Sequence, residues 1–330
     1  MVIASVAFRN FKALRNTSLA LSPFNLVIGP NGSGKTSLIE ALLRLRTLSK
    51  LPLSDVPDRP RKHGGPEIEF RFAPPHDGIS VQLGCVSESV CDVLRIVPAN
   101  AAGWPALRAE LGRIRAYRLD HAVMGAPAAK QSGAELALDG SNLAAVLARL
   151  RDRTPDAFTA LTAELLRIMP EFQAIELAEQ ADDRVALGMR LIEGELVQGA
   201  ELSQGMLYLL AVLALASDPN PPRLLCFEEI DRGIHPRMLR EVRDALYRLS
   251  YPEASGLKRE AVQIVTTTHS PYFIDLFREH PEEVVISSKQ GRAAHFQRLS
   301  DRADLPELLS EGSLGDMWFS GILGGVPEEE

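Results

Sequence analysis

Four clusters of residues carry the chemistry open to this sequence. The first is Gly29-Pro30-Asn31-Gly32-Ser33-Gly34-Lys35-Thr36, which fits G-x-x-x-x-G-K-[ST] at every fixed position. An apolar run, Leu26-Val27-Ile28, precedes it, and a helical pattern through Leu38, Ile39, Leu42, Leu43 and Leu45 follows. Strand, glycine loop and helix start together form an anion cradle. The glycines let successive N–H groups turn inward, and the helix N-terminus adds partial positive charge. Asn31, Gly32, Ser33 and Gly34 are the expected phosphate cradle. Lys35 is the cation for the outer phosphates, and Thr36 is a hydroxyl ligand for Mg2+. The second cluster is Leu224-Leu225-Cys226-Phe227-Glu228-Glu229, an apolar strand running into two acids. Acids at the C-terminal edge of an open α/β sheet face its ligands. Glu228 is assigned to the metal and Glu229 to the base that orients or deprotonates an attacking water. Two solvated acids at a strand end show the same pattern.

The third cluster is Thr266-Thr267-Thr268-His269-Ser270, at the end of another apolar strand. His269 there can donate a hydrogen bond to a terminal phosphate, or serve as a capping or core histidine. The fourth is Leu202-Ser203-Gln204-Gly205-Met206, opening an apolar helix. Ser203 and Gly205 at a helix start suit an anion, and an ordinary serine N-cap looks the same.

Positioning these clusters takes a definite set of elements. Residues Val2 to Phe8 alternate as a half-buried strand, and so do Glu67 to Phe72 and Ile79 to Val86, on either side of the turn Pro74 to Gly78. Residues 50–66 are rich in Pro, Arg and Gly and read as a surface loop, while 99–140 show no clear period. Leu143, Val146, Leu147 and Leu150 then follow helical spacing. Phe158, Leu161, Leu165 and Ile168 repeat it after Thr154-Pro155, an N-cap with proline at the first helical position. Beyond residue 200, helices (Met206–Ala216; Met238 to Leu249) alternate with strands (224–227, 262–267, 284–287). That alternation predicts a mostly parallel sheet. The last thirty residues are Gly-rich, end in Glu328-Glu329-Glu330, and read as a frayed tail.

Composition narrows the class. The 330 residues include 36 basic and 43 acidic side chains, for a net charge of −7, with 45% hydrophobic residues. This suits a globular protein with a large core and excludes a disordered chain or a basic nucleic-acid coat. The longest apolar run, Met206 to Ala216, is too short to span a bilayer, and the N-terminus lacks a secretory pattern. Three cysteines without a CxxC pair argue against a disulfide framework and for a reducing compartment, so the expected location is cytoplasmic.

The order of the four clusters resembles that of AAA-type ATPases of the RecF/SMC/OLD-like branch of ABC ATPases. Phe8-Arg9-Asn10-Phe11-Lys12 resembles that branch's opening strand. Gly29 to Thr36 matches Walker A, and Leu202 to Gly205 the signature motif. Glu228 and Glu229 match Walker B and its glutamate, Asp231 to Pro236 the segment at the D-loop, and His269 the switch histidine. The resemblance covers residues 1–45 and about 195–275. It implies an α/β P-loop NTPase fold: an ABC-ATPase-like head with a mostly parallel sheet, an antiparallel N-terminal β part and a short helical insertion. The head would be a single bipartite domain over 1–330, with an N-terminal part of about 1–135, a C-terminal part of about 187–330, and the insertion at about 136–186. It implies ATP and Mg2+ as cofactors, and Lys12 near the adenine or ribose. It also implies an ATP-dependent homodimer in which Ser203 of one subunit meets the phosphate held by Lys35 of the other. The sequence departs from the pattern with Glu228 in place of the usual aspartate, and with Gln204 and Met206 in the signature. Gln82, near a strand end, reads equally as a Q-loop residue or a surface glutamine.

The resemblance points to an ATP-driven switch in a DNA-associated process, DNA repair or anti-phage defence. About 60 residues follow His269, so this would be a stand-alone head without a Toprim domain, with any nuclease or toxin activity in a separate effector protein. Asp301 and Asp304 are too isolated to replace such a domain. DNA contact could use Arg44, Arg46, Lys50, Arg59, Arg61 and Lys62, or Arg108, Arg113, Arg115 and Arg118 around Tyr117; solvated faces are the other reading. Two alternatives are the ATP-binding subunit of a transporter, which the signature departures disfavour, and a nucleotide-gated interaction module with negligible turnover.

Overall fold

The structure is a computed structural model and describes residues 2–51 and 65–324. Most of the loop expected over 50–66, with Arg59, Arg61 and Lys62, lies outside the described residues, as does the Glu328–Glu330 tail. In chain order the elements begin with β1 (Ile3–Phe11), β2 (Leu14–Ala20), β3 (Phe24–Ile28), α1 (Lys35–Lys50), β4 (Glu67–Phe72), β5 (Ser80–Ser87), β6 (Val90–Val97), α2 (Trp104–Leu111) and β7 (Ile114–Tyr117). Next come α3 (His121–Met124), β8 (Ala128–Ala129), α4 (Leu143–Arg153), α5 (Pro155–Ile168), β9 (Phe172–Gln180), β10 (Arg184–Leu191), β11 (Leu196–Gln198) and α6 (Gln204–Ser217). The chain continues through β12 (Leu224–Phe227), α7 (Leu239–Ser250), β13 (Gln263–Thr267), α8 (Pro271–Asp275), β14 (Val284–Gln290), β15 (Ala293–Arg298), α9 (Leu305–Glu311) and α10 (Leu314–Phe319).

The chain divides into two compact units, one of residues 1–116, 222–230 and 261–330, the other of 117–221 and 231–260. In the first unit β2-β1-β4-β5-β6 form an antiparallel sheet, and β15-β14-β3-β13-β12-β7 form a second one. In the second sheet β14, β3, β13 and β12 run parallel, and β15 closes one edge antiparallel. One apolar core serves both sheets. Val6, Phe8, Ile68, Phe70, Val81 and Leu83 come from the antiparallel strands, Leu38, Leu42 and Leu45 from α1, and Val27, Val265 and Leu224 from the parallel ones. Burying each such side chain contributes about 1.5–3 kcal/mol, which holds α1, and so the loop before it, against the sheets.

In the second unit α6 is buried on every side from Gly205 to Ala216 and packs against α4, α5 and α7. A helix apolar all round belongs in an interior. Strands β9, β10 and β11 form a separate antiparallel meander.

Several expectations need correction. Residues 99–140 are ordered into α2, β7, α3 and β8, whose shortness hides any period. Residues 301–324 are no frayed tail: α9 and α10 bury Leu305, Leu308, Leu314, Met317 and Trp318. The Thr154 hydroxyl donates back to the Leu150 carbonyl at 3.1 Å rather than capping α5. Cys85 and Cys91 are disulfide-bonded, against the cysteine reading, because the β5–β6 hairpin sets them directly opposite one another. Only Cys226 is a free thiol among the described residues; burial, with Glu228 nearby, pushes that thiol well up.

Candidate active site

Parallel pairing of β3, β13 and β12 brings three strand ends together: Thr267 lies beside Val27 and Phe227 beside Thr266. The residues just past those ends are the phosphate loop, the double acid and the histidine. They line one cleft, with Asn31, Gly32, Gly34, Lys35, Thr36 and Ser37 on one side and Glu228, Glu229, Thr267 and His269 on the other. All belong to the first unit.

The loop is braced from behind. A Cβ on Gly29 would sit 2.2 Å from the Ser287 carbonyl oxygen, so β14 tolerates no side chain there. Gly34, with φ +99°, begins α1 in a left-handed conformation that glycine adopts without cost. The Ser287 hydroxyl donates to the Ser33 carbonyl at 2.5 Å. Because a peptide's C=O and N–H point oppositely, this bond aims the Gly34 N–H away from Ser287. The Ser33 hydroxyl oxygen is buried without a hydrogen-bond partner. An anion among these donors would satisfy what the loop leaves open.

Lys35 donates to the carbonyls of Gly29 at 2.6 Å and Pro30 at 3.0 Å. Burial lowers its pKa to about 8, with the Glu229 carboxylate opposing the shift. A charged phosphate would restore the ammonium form. Thr36 is exposed and Glu228 half-buried in the same cleft. A hydroxyl and one carboxylate, completed by phosphate oxygens and water, are the donor set Mg2+ uses, and the residues present fit that ion. Among the described residues no group of three or more His, Cys, Asp or Glu could hold a metal by itself.

Glu229 has φ +51°, rare for a residue with a side chain. Its N–H donates to the Thr267 hydroxyl at 2.9 Å. His269 is exposed beside Trp318, with ring centroids 6.5 Å apart.

The remaining expected residues lie elsewhere. Lys12, at φ +53°, is ion-paired with Glu40 on α1, one turn past Thr36, and does not line the cleft. Gln82 sits within β5, opposite Glu69 and Arg95. Ser203 and Gly205 belong to the second unit. There Ser203 caps α6 by accepting from the Met206 N–H at 3.3 Å. A Cβ on Gly205 would lie 2.6 Å from the Gly233 carbonyl oxygen, so the helix start and the Asp231–Pro236 segment are in backbone contact. Of the arginines, Arg108 binds the carbonyls of Ser49 and Lys50 at the end of α1, and buried Arg115 binds those of Gly112 and Ile114. Sequence reasoning missed Thr267 and Ser287. The triple threonine was visible, but which hydroxyl faces the cleft depends on strand register.

Residues 102–275 match the family described as "AAA domain, putative AbiEii toxin, Type IV TA system", and residues 1–80 match "AAA ATPase domain". A stretch of 46 residues is 46% identical to the DNA replication and repair protein RecF of Erwinia tasmaniensis, covering 14% of this chain and 13% of that protein. The RecF of Citrobacter koseri is 48% identical over 46 residues, with the same coverage. The match thus spans only about 13% of the length of these curated relatives. Among solved structures, an Smc head bound to the C-terminal winged-helix domain of ScpA aligns with TM-score 0.56 at 14% identity, over 90% of this chain and 97% of that one. A Pyrococcus furiosus Smc head with an extended coiled coil, bound to the C-terminal domain of ScpA, aligns with TM-score 0.57 at 13% identity, over 94% and 100%. These likenesses show the fold.

Proposed function

Since the chain belongs to this AAA-domain family and is a P-loop ATPase with an SMC-head-like fold, we propose that it works as an ATP-driven switch in a DNA-associated process, either DNA repair or defence against phage. The observation that carries this reading is the convergence of Lys35, Thr36, Glu228, Glu229 and His269 on one cleft. Lys35 and the loop N–H groups hold the phosphates. Thr36 and Glu228 hold Mg2+, which would neutralise phosphate charge. Glu229 takes the proton of the attacking water, and His269 donates to the terminal phosphate.

The switch itself needs a second copy. Ser203 is exposed at the start of α6, as a residue that completes another subunit's site must be. ATP closes the dimer and hydrolysis opens it, a two-state equilibrium biased by the nucleotide. RecF, by its name, serves DNA replication and repair, and the family description names a toxin of a toxin–antitoxin system. Both fit a head that gates a separate effector protein, nuclease or toxin. Cytoplasmic action follows from the need for ATP and does not rest on the cysteines. No helix among the described residues is long and apolar enough to cross a membrane.

The test is the steady-state ATPase rate with and without linear duplex DNA at two salt concentrations, with Lys35→Ala as the blank. Salt-sensitive stimulation supports the DNA-associated switch; indifference to DNA removes that part of the reading. Glu229→Gln protein should bind ATP and accumulate as a dimer in light scattering. Monomers at saturating ATP would rule out the homodimer.

A further inference from the structure

Glu229 is an anomaly. A glutamate at φ +51° pays a steric penalty that glycine avoids, and such residues persist only where neighbours hold them. Here one residue does the holding. The Thr267 hydroxyl oxygen accepts the Glu229 N–H at 2.9 Å, and the Thr267 carbonyl accepts the Ile230 N–H at 3.2 Å. Two successive amides of the acid turn are therefore tied to one threonine. Thr267 in turn cannot drift. It is the last residue of β13, registered on Val27 of β3, and only 4% exposed. Val27 lies two residues before Gly29, so the same strand contact that seats Thr267 also seats the phosphate loop.

We infer that Thr267 is the positioning residue for the hydrolytic glutamate, a deduction that rests on the role proposed above for Glu229. Its hydroxyl holds the left-handed turn so that the Glu229 carboxylate faces the cleft. Without that acceptor the turn relaxes toward ordinary backbone angles and swings the carboxylate away, while Lys35 and the loop remain intact. The hydroxyl serves as acceptor in this bond, and its own proton has no protein acceptor among the described residues. Thr267 also lines the cleft. Threonine thus fits where valine, of equal shape, would not.

The experiment compares five full-length proteins: wild type, Thr267→Val, Thr267→Ser, Glu229→Gln and the double variant Thr267→Val/Glu229→Gln. Two readouts are taken on each, kcat for ATP hydrolysis and the affinity for a fluorescent ATP analogue. Thr267→Val is expected to lose about ten- to a hundredfold in kcat, the scale of a small misplacement of a reacting group, with affinity changed less than about threefold. Thr267→Ser keeps the hydroxyl and should recover most of kcat. Adding Thr267→Val to Glu229→Gln should lower kcat no further, because the group it acts through is already disabled. Wild-type kcat in Thr267→Val beside an inactive Glu229→Gln overturns this inference and leaves the role of Glu229 standing. Affinity and kcat falling together, in Val and Ser alike, would show a merely structural threonine and overturn it too. Full hydrolysis by Glu229→Gln would overturn both readings at once.

Discussion

In the proposed nucleotide site, Lys35 should make affinity depend on pH in a range where an ordinary lysine is silent. Its ammonium is buried against the carbonyls of Gly29 and Pro30, and burial lowers its pKa to about 8 against Glu229's opposing pull. The sign follows from which form binds. In the proposed site phosphate is held by the ammonium, and raising pH removes that form from the free protein, so affinity should fall as pH rises through about 8. The apparent dissociation constant scales as one over the charged fraction. That fraction drops from about 0.9 at about pH 7 to about 0.1 at about pH 9, so affinity should weaken about tenfold. A lysine at the unperturbed value would lose only about 3% over the same span. The second ionisation of a phosphate, with pKa about 6, is already about 90% complete at about pH 7 and changes affinity by only about a tenth over the span. Bound phosphate raises the lysine's pKa again, so binding near pH 8 should take up about half a proton. Titration calorimetry in buffers of different ionisation enthalpy reads that uptake directly. Lys35→Arg keeps its charge across the range and should show a flat profile, whatever its absolute affinity. Wild-type affinity that is flat from pH 7 to 9, without proton uptake, would refute the burial argument.

Two further predictions test the geometry around the loop and the acids. Glu229→Gly should abolish hydrolysis yet raise the melting temperature by about 2 °C, because glycine removes a left-handed strain of about 1 kcal/mol; a lower melting temperature would show that the turn is unstrained. Gly29→Ala puts a methyl group 2.2 Å from the Ser287 carbonyl oxygen. It should reduce ATP binding severely, and wild-type affinity for the fluorescent analogue would show that β14 yields there.

Much of the site was legible because its chemistry is local. The phosphate loop needs glycines, lysine and threonine within eight consecutive positions, and the strand before it and the helix after it show plain periodicity. The strand 224–227 was readable for the same reason, since a strand buried on both faces is a continuous apolar run, and 263–267 was readable from its β-branched residues Ile264, Val265, Thr266 and Thr267. Elements whose neighbours decide their state were not legible. The strands β9 and β10 carry charged side chains and are defined by their mutual pairing. Helices α9 and α10 are too short for their pattern to outweigh the glycines around them. The cysteine count suggested unpaired thiols, and only the hairpin register set Cys85 opposite Cys91.

The sequence alone therefore determined the identity of the chemical groups and the strands that carry them, because each motif is written in adjacent residues. Tertiary structure alone decided which groups meet. Parallel pairing of β12, β13 and β3 carries residues some 200 and 240 positions after the loop into its cleft. That pairing depends on backbone hydrogen bonds that name no side chain. It also chose Thr267 among three consecutive threonines, because successive residues of a strand face opposite ways, and the tertiary structure likewise set Lys12 beside Glu40 of α1.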